Sequence, residues 1–490
     1  MTAPRYSATV MARQIREGET SAVDLVAATL ADIAARNPDL NAYTAITADR
    51  ALAEAEQIDA RRARGEHLPP LAGVPYAAKN LFDVQGLTTL CGGRVHADEP
   101  AATHDATAVA RLRAAGAILT GTLNMDEHAY GFTTENSHYG TTRNPHDAAR
   151  VAGGSSGGSG AAVGARLVPL ALGTDTNGSV RVPAALCGVF GIKPTYGRLG
   201  RGGVFPFVFS LDHVGVLAAS TEDLALACDA MQGLDARDPA TRFAAAGSSS
   251  SSSLSGSSSG SSSRSSGGLG PLAPLTALPG GLRVAVLDGW FERWAGPDAS
   301  RAVDIVAAAL DARARASLHG AERARSAAFV ITGAEGGTLH RHGLRTRYDA
   351  YEPHSRDRLL AGSLLPASWV ADAQRARRDV YDEAMRLFER YDLLLAAATP
   401  VAAPPAGAAT FDLHGQALPA RASLGLLTQP LSCLGLPVCT VPVWPGGPGS
   451  LPLGVQIIAA PGRDDLCLAA SAYLEQTGAA RLAPAASSPR

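Results

Sequence analysis

Residues 153–160 read Gly-Gly-Ser-Ser-Gly-Gly-Ser-Gly, and a helical pattern of small apolar residues follows from Ala161. A glycine-rich turn at a helix start presents backbone N–H groups that no intrahelical carbonyl satisfies, so it suits an anion or a developing oxyanion. Three readings compete. A phosphate loop needs a Gly-Lys-Ser/Thr ending, which is missing. A nucleophile elbow fits G-x-S-x-G across Gly153 to Gly157, with Ser155 at its centre and His340, His342, His354 and His414 downstream as possible bases. The third is a tight helix–strand contact without chemistry, the default for such a stretch standing alone.

Around this stretch, helices and strands alternate. Ser21 can cap the amide of Asp24, and Val23, Val26, Ala27, Leu30 and Ile33 recur at helical spacing before Asn37-Pro38, which predicts a helix ending there. The pattern predicts helices over 51–64, 107–115 and 302–310. It predicts strands over 71–79, 117–123, 282–287, 392–396 and 454–458. Such alternation specifies an α/β fold, with a mixed central β-sheet covered by helices on both faces.

The 490 residues are 46% apolar and 18% charged, enough to build a large core. With 43 basic against 45 acidic side chains the formal charge is −2, so no electrostatic footprint for nucleic acid or an anionic membrane is present. Pro400, Pro404 and Pro405 break the longest apolar stretch, which therefore does not read as a membrane span. The start, Met1-Thr-Ala-Pro-Arg-Tyr, lacks the apolar core of a secretory signal, and a cytoplasmic location is expected. Six cysteines without a C-x-x-C pair predict buried thiols rather than disulfides or zinc ligands. From 247 to 268 the chain is nearly all Ser and Gly, a composition that cannot offset its ordering entropy. The expected organisation is one domain in two parts, 1–246 and 269–490, around a disordered insertion at 247–268.

Two further clusters accompany the glycine run. Leu172-Gly-Thr-Asp-Thr-Asn-Gly-Ser-Val-Arg-Val-Pro183 places small residues before Ser179, so that successive amides can point at one spot. Gly73-Val-Pro-Tyr-Ala-Ala-Lys-Asn80 ends an apolar strand on Lys79. An isolated lysine is usually a solvated surface residue, but an apolar run is not where one is expected. Asn177-Gly178-Ser179 formally matches a glycosylation acceptor, a reading set aside for a chain without a secretion signal.

Lys79, the Gly153–Gly160 run and the Asp175–Arg181 run together resemble the amidase signature family. The family pattern has Gly-Gly-Ser before Ile-Arg, where this chain has Asn177-Gly178-Ser179-Val180-Arg181, a departure that removes no catalytic group. The resemblance implies that Ser179 is the acylated nucleophile, Ser155 a bridging serine after a cis peptide at Gly154, and Lys79 the base. It also implies that the amides of Thr176, Asn177, Gly178 and Ser179 hold the oxyanion, and that no metal or organic cofactor takes part. A serine hydroxyl needs a base as it attacks, and a lysine serves only when neutral. Burial would have to bring its pKa from about 10.4 to ~7–8.

The runs Asn80-Leu81-Phe82, Arg345-Thr-Arg347, Ser355-Arg-Asp-Arg358, Leu427-Thr-Gln-Pro430 and Gly454-Val-Gln-Ile-Ile458 resemble the 1-carboxybiuret hydrolases of cyanuric acid degradation more than the glutamine-hydrolysing subunits of tRNA-dependent amidotransferases. That likeness implies a small ureide substrate, release of ammonia, an oligomer and a small partner subunit. A carboxylated ureide calls for a cationic clamp, expected at Arg345, Arg347 and Arg356.

Overall fold

Ser21 accepts a hydrogen bond from the Asp24 amide at 2.9 Å and opens helix Ala22–Leu40. The helix runs through Pro38 instead of stopping before it. A proline this close to the end removes few helical bonds, and Asn41, in the left-handed conformation, closes the helix by donating its amide to Asn37 O at 2.7 Å. A computed structural model describes residues 6–242, 270–447 and 449–483. The serine tract at 247–268 lies outside the described residues.

Eleven strands form one mixed sheet. In chain order they are β1 (Tyr43–Ile46), β2 (Pro75–Lys79), β3 (Ile118–Leu123), β4 (Leu170–Asp175), β5 (Phe190–Lys193), β6 (His213–Ala218), β7 (Val284–Leu287), β8 (Ala314–Ala316), β9 (Leu393–Ala397), β10 (Val438–Val443) and β11 (Leu453–Ile458). Their spatial order is β1-β3-β2-β4-β6-β5-β10-β11-β9-β7-β8. Strands from before and after the serine tract thus share one sheet, joined where β5 pairs with β10. The strands β3, β2 and β4 run parallel to one another, as do β9, β7 and β8, and the pairings between these sets are antiparallel.

Alternate residues of the central strands pack into separate cores. Tyr76, Ala78, Leu170, Leu172 and Val216 join the main cluster with Val109 and Leu112 of helix Thr107–Ala114 and Leu224 of helix Thr221–Met231. Ala77, Ala171 and Leu217 join a second cluster with Ala161, Ala162 and Val163 of helix Gly157–Gly164. A sheet covered on both sides has no polar face, which is why these strands read as continuous apolar runs. The elements expected from the sequence are present with ends shifted by at most five residues. Two long helices go beyond that expectation: Ala321–Thr346 and Ala367–Arg390, which pack on each other. In the first of them the buried positions are largely alanine and glycine, so its helical repeat carries little hydrophobic contrast.

Candidate active site

Lys79 is the last residue of β2, and its neighbour β4 runs parallel with Ala78 opposite Leu172. Both strands therefore deliver side chains at their C-terminal ends, where open α/β sheets build sites. The lysine side chain is wholly buried; its Nζ lies 2.7 Å from Ser155 Oγ and 3.0 Å from Thr174 Oγ1, and it forms no ion pair among the described residues. Burial lowers its pKa to about 8, against a partial opposing pull from Cys91, Asp126, Asp212 and Asp175. The amine is thus poised near neutrality.

Ser155 precedes helix Gly157–Gly164, and the Gly154–Ser155 peptide is cis. The glycines before it are steric requirements: a Cβ on Gly154 would stand 2.1 Å from Asp126 Oδ2 and 2.8 Å from Thr133 N. Three amides of the glycine run are already engaged, so fewer are open to an anion than the sequence suggests. Gly157 N donates to Thr134 Oγ1 at 3.1 Å, Gly158 N to Asn124 O at 3.0 Å and Gly160 N to Ser156 O at 3.1 Å. No histidine hydrogen-bonds Ser155 among the described residues, so its partner is an amine and the elbow reading falls away.

The turn that follows β4 carries Ser179, which is 2% exposed. Ser156 N donates to Ser179 O at 3.2 Å and ties the two serine segments together. Arg181, fully buried, bonds Asp175 through Nε at 2.9 Å and Nη2 at 3.0 Å, and Nη1 reaches Gln456 Oε1 at 2.7 Å. Burial alone would raise the Asp175 carboxyl, but Arg181 outweighs it and holds the group well below the usual carboxylate range. Its Oδ1 in turn accepts Gly178 N at 2.8 Å.

That bond corrects the expected oxyanion set, because Gly178 N is already engaged. The amides of Thr176, Asn177 and Ser179 donate to no acceptor among the described residues. Thr176 is anchored by Oγ1 to Asp212 Oδ1 at 2.6 Å, and Thr428 Oγ1 donates to Asn177 O at 2.7 Å. Thr428 and Gln456 fall in two of the runs singled out from the sequence, and Asp212 lies outside those two. Their task of holding the Ser179 turn is not legible there, since each bond spans tens to hundreds of residues.

Ser179 faces a small cavity walled by Tyr130, Phe132, Phe207 and Phe329. Its polar lining comes from Asn177, Thr332, Gln429, Arg358 and Arg421. The arginines singled out from the sequence lie elsewhere: Arg345 is exposed, Arg347 pairs with Asp98 at 2.9 Å, and Arg356 sits over the Tyr348 ring near Asp349 and Asp357. Helix Pro353–Gly362 brings Arg358, two residues beyond Arg356, to the cavity instead. Arg358 lies over the Tyr130 ring at 3.6 Å, donates to Tyr130 O at 3.1 Å and makes no ion pair among the described residues. Arg421 bridges Asp126 and Glu352 at 3.1 and 3.2 Å.

Among the described residues no group of three or more His, Cys, Asp or Glu side chains is placed to hold a metal ion, and all six cysteines are buried and unbridged. No helix among them is long and apolar enough to cross a membrane.

The amidase family model matches residues 24–468. The chain is 52% identical over 469 residues to AtzE, the 1-carboxybiuret hydrolase subunit of Pseudomonas sp. (strain ADP), covering 96% of this chain and 98% of that one. It is 36% identical to a glutamyl-tRNA(Gln) amidotransferase subunit of Symbiobacterium thermophilum, over 94% of each chain. A solved structure, described as a vestigial protein complex revealing the origins of an s-triazine catabolic enzyme, superposes with a TM-score of 0.91 at 51% identity. It covers 97% of this chain and 99% of that one. A 6-aminohexanoate cyclic dimer hydrolase complexed with substrate superposes with a TM-score of 0.81 at 30% identity, covering 97% of each chain.

Proposed function

Because the chain belongs to the amidase family and is an amide-cleaving hydrolase, we propose that Ser179 attacks a small ureide-type amide, 1-carboxybiuret or biuret, and releases ammonia. The observation that carries the mechanism is the buried Lys79 amine against Ser155 Oγ at 2.7 Å, with no acid paired to it among the described residues. Neutral Lys79 draws the Ser155 proton as Ser155 takes that of Ser179, and Ser179 Oγ adds to the amide carbonyl. The oxyanion collects on the amides of Thr176, Asn177 and Ser179, each essential donor contributing about 3–4 kcal/mol. The protonated relay returns its proton to the leaving nitrogen, and water then attacks the acyl-enzyme by the same path.

The substrate reading rests on the 52% identity to the 1-carboxybiuret hydrolase chain and on Arg358, a cation facing the cavity without an acidic partner among the described residues. A guanidinium so placed suits a carboxylate. That relative is one subunit of its enzyme, while the superposed structure is a complex, which supports a small partner chain here as well.

The test is ammonia release from biuret, 1-carboxybiuret, allophanate, glutamine and simple aliphatic amides, with Ser179→Ala as control. Selective turnover of the ureides, lost in the variant, is expected. Turnover of glutamine instead would transfer the chain to the amidotransferase reading, and absence of Ser179 labelling by a fluorophosphonate would make it a non-catalytic assembly protein.

A further inference from the structure

Two polar side-chain atoms lining the Ser179 cavity are buried without a hydrogen-bond partner among the described residues: Asn177 Oδ1 and Arg421 Nε. One accepts and the other donates. Asn177 is 9% exposed, and its Nδ2 donates to Thr332 Oγ1 at 2.9 Å, so helix Ala321–Thr346 fixes the amide and leaves its carbonyl oxygen unoccupied. A buried acceptor left without a donor destabilises a fold, and its retention calls for a reason.

Apart from the hydroxyl of the proposed nucleophile Ser179, the other side-chain polar groups of the cavity are occupied or are donors among the described residues. Gln429 Oε1 accepts from Arg325 Nε at 3.0 Å, and Thr176 Oγ1 is bound to Asp212. Arg358, Arg421 and the open amides of Thr176 and Ser179 all donate. A carboxylate or a carbonyl oxygen is therefore well served in this cavity, whereas for a substrate N–H the acceptor waiting among the described side chains, beside the attacking hydroxyl of Ser179, is Asn177 Oδ1. Ureides differ from ordinary amides by carrying such an N–H beside the reacting carbonyl.

We propose that Asn177 is a specificity-determining residue: its Oδ1 accepts the central N–H of a C(=O)–NH–C(=O) substrate, selecting ureides over amides with carbon at that place. Thr332 is the positioning residue that aims it. The proposal rests on the ureide reading above and adds the group that distinguishes a ureide from its carbon analogue. A site that hydrogen-bonds an N–H rejects the analogue lacking it, because its own acceptor is then stranded.

The experiment compares kcat/KM for biuret and 1-carboxybiuret with that for malonamide, in which CH2 replaces the central NH of biuret. Asn177→Ala keeps the backbone amide of the oxyanion site and removes the acceptor together with the side-chain bond to Thr332. The ureide-to-malonamide ratio is expected to fall by roughly 10- to 100-fold in Asn177→Ala. It should fall by less in Thr332→Val, and stay near the parent value in Asn177→Asp, which keeps an acceptor. Thermal unfolding followed by circular dichroism identifies any variant that fails to fold, and Thr332→Val then supplies the same ratio. A ratio unchanged within about two-fold in both Asn177→Ala and Thr332→Val, with ureide turnover intact, would overturn this inference alone. Absence of ureide turnover in the parent enzyme, with another amide hydrolysed, would overturn both it and the substrate reading.

Discussion

Lys79 Nζ and Ser155 Oγ are hydrogen-bonded at 2.7 Å with both side chains at 0% exposure. The contact puts a base inside the core, and its titration follows from burial. With its pKa lowered to about 8, kcat/KM is expected to rise with pH and level off above about 8, as the neutral amine is the active form. A profile flat from pH 6 to 9 would exclude Lys79 as the base.

The same shift bears on stability. Between about 8 and the ordinary lysine value of 10.5 the unfolded chain binds a proton that the folded chain does not, so stability rises with pH across that window. Below it the cost of burying the charge is fully present. Lys79→Met keeps the volume and removes the charge. It should lower kcat by about 10³-fold or more while Tm at pH 7 stays level or rises. A large fall in Tm would show that the lysine serves the fold instead.

Gly178 is held at φ +136°, and a Cβ there would lie 2.0 Å from Thr428 Oγ1. Gly178→Ala is expected to destabilise by about 1–3 kcal/mol and, by displacing the neighbouring amides, to reduce kcat by roughly 10²-fold or more. Because the collision is with one side chain, Gly178→Ala combined with Thr428→Ala should cost less than the sum of the two. Additive losses, read from urea midpoints, would refute that coupling.

Asp175 relies on Arg181 for its charge. Arg181→Met leaves a buried carboxylate unpaired and should cost about 3–5 kcal/mol at pH 7. Arg181→Lys should not restore it, since one ammonium cannot replace a fork that also reaches Gln456 and Thr428 O. Denaturant midpoints of the two variants against the parent measure both effects.

His128 is wholly buried and neither ring nitrogen makes a hydrogen bond among the described residues; Nε2 lies 3.9 Å from Glu127 Oε1, and the ring is 4.0 Å from that of His340 and 5.3 Å from that of His96. Burial, helped by the facing histidines, holds it well below the ordinary imidazole range. Below about pH 6.5 the unfolded chain gains a proton there that the folded chain refuses, so this residue removes stability as pH falls. Glu127, raised to about 7 mainly by burial, contributes in the opposite direction, so the effect is best read by difference. His128→Phe should lessen the loss between pH 8 and 5.5 by about 1.4 kcal/mol; an unchanged difference would mean that the folded protein protonates His128.

The strands β2, β3, β7, β9 and β11 were legible because short apolar runs between Gly, Pro and charge have few alternatives. Lys79, Ser155 and Ser179 were legible through their motifs, and the structure brings Lys79 onto Ser155 and ties Ser156 to Ser179. The arginines were not legible. Arg356 and Arg358 stand two apart on one helix, so they point in different directions, and which one meets the cavity depends on how that helix is turned against Tyr130.

By itself, then, the sequence determined which chemical groups this protein has to work with: a lysine in an apolar strand, two serines among glycines, and an α/β alternation to carry them. Tertiary structure alone decided which amides remain open, since Asp175 takes that of Gly178 and Thr134 that of Gly157. It also decided that Arg358 rather than Arg345, Arg347 or Arg356 faces the cavity, and that Asn177 Oδ1 is left without a donor among the described residues. The physical reason is that residue type and spacing fix local backbone conformation. Whether a polar atom is satisfied depends on partners brought from distant parts of the chain by strand register and helix rotation.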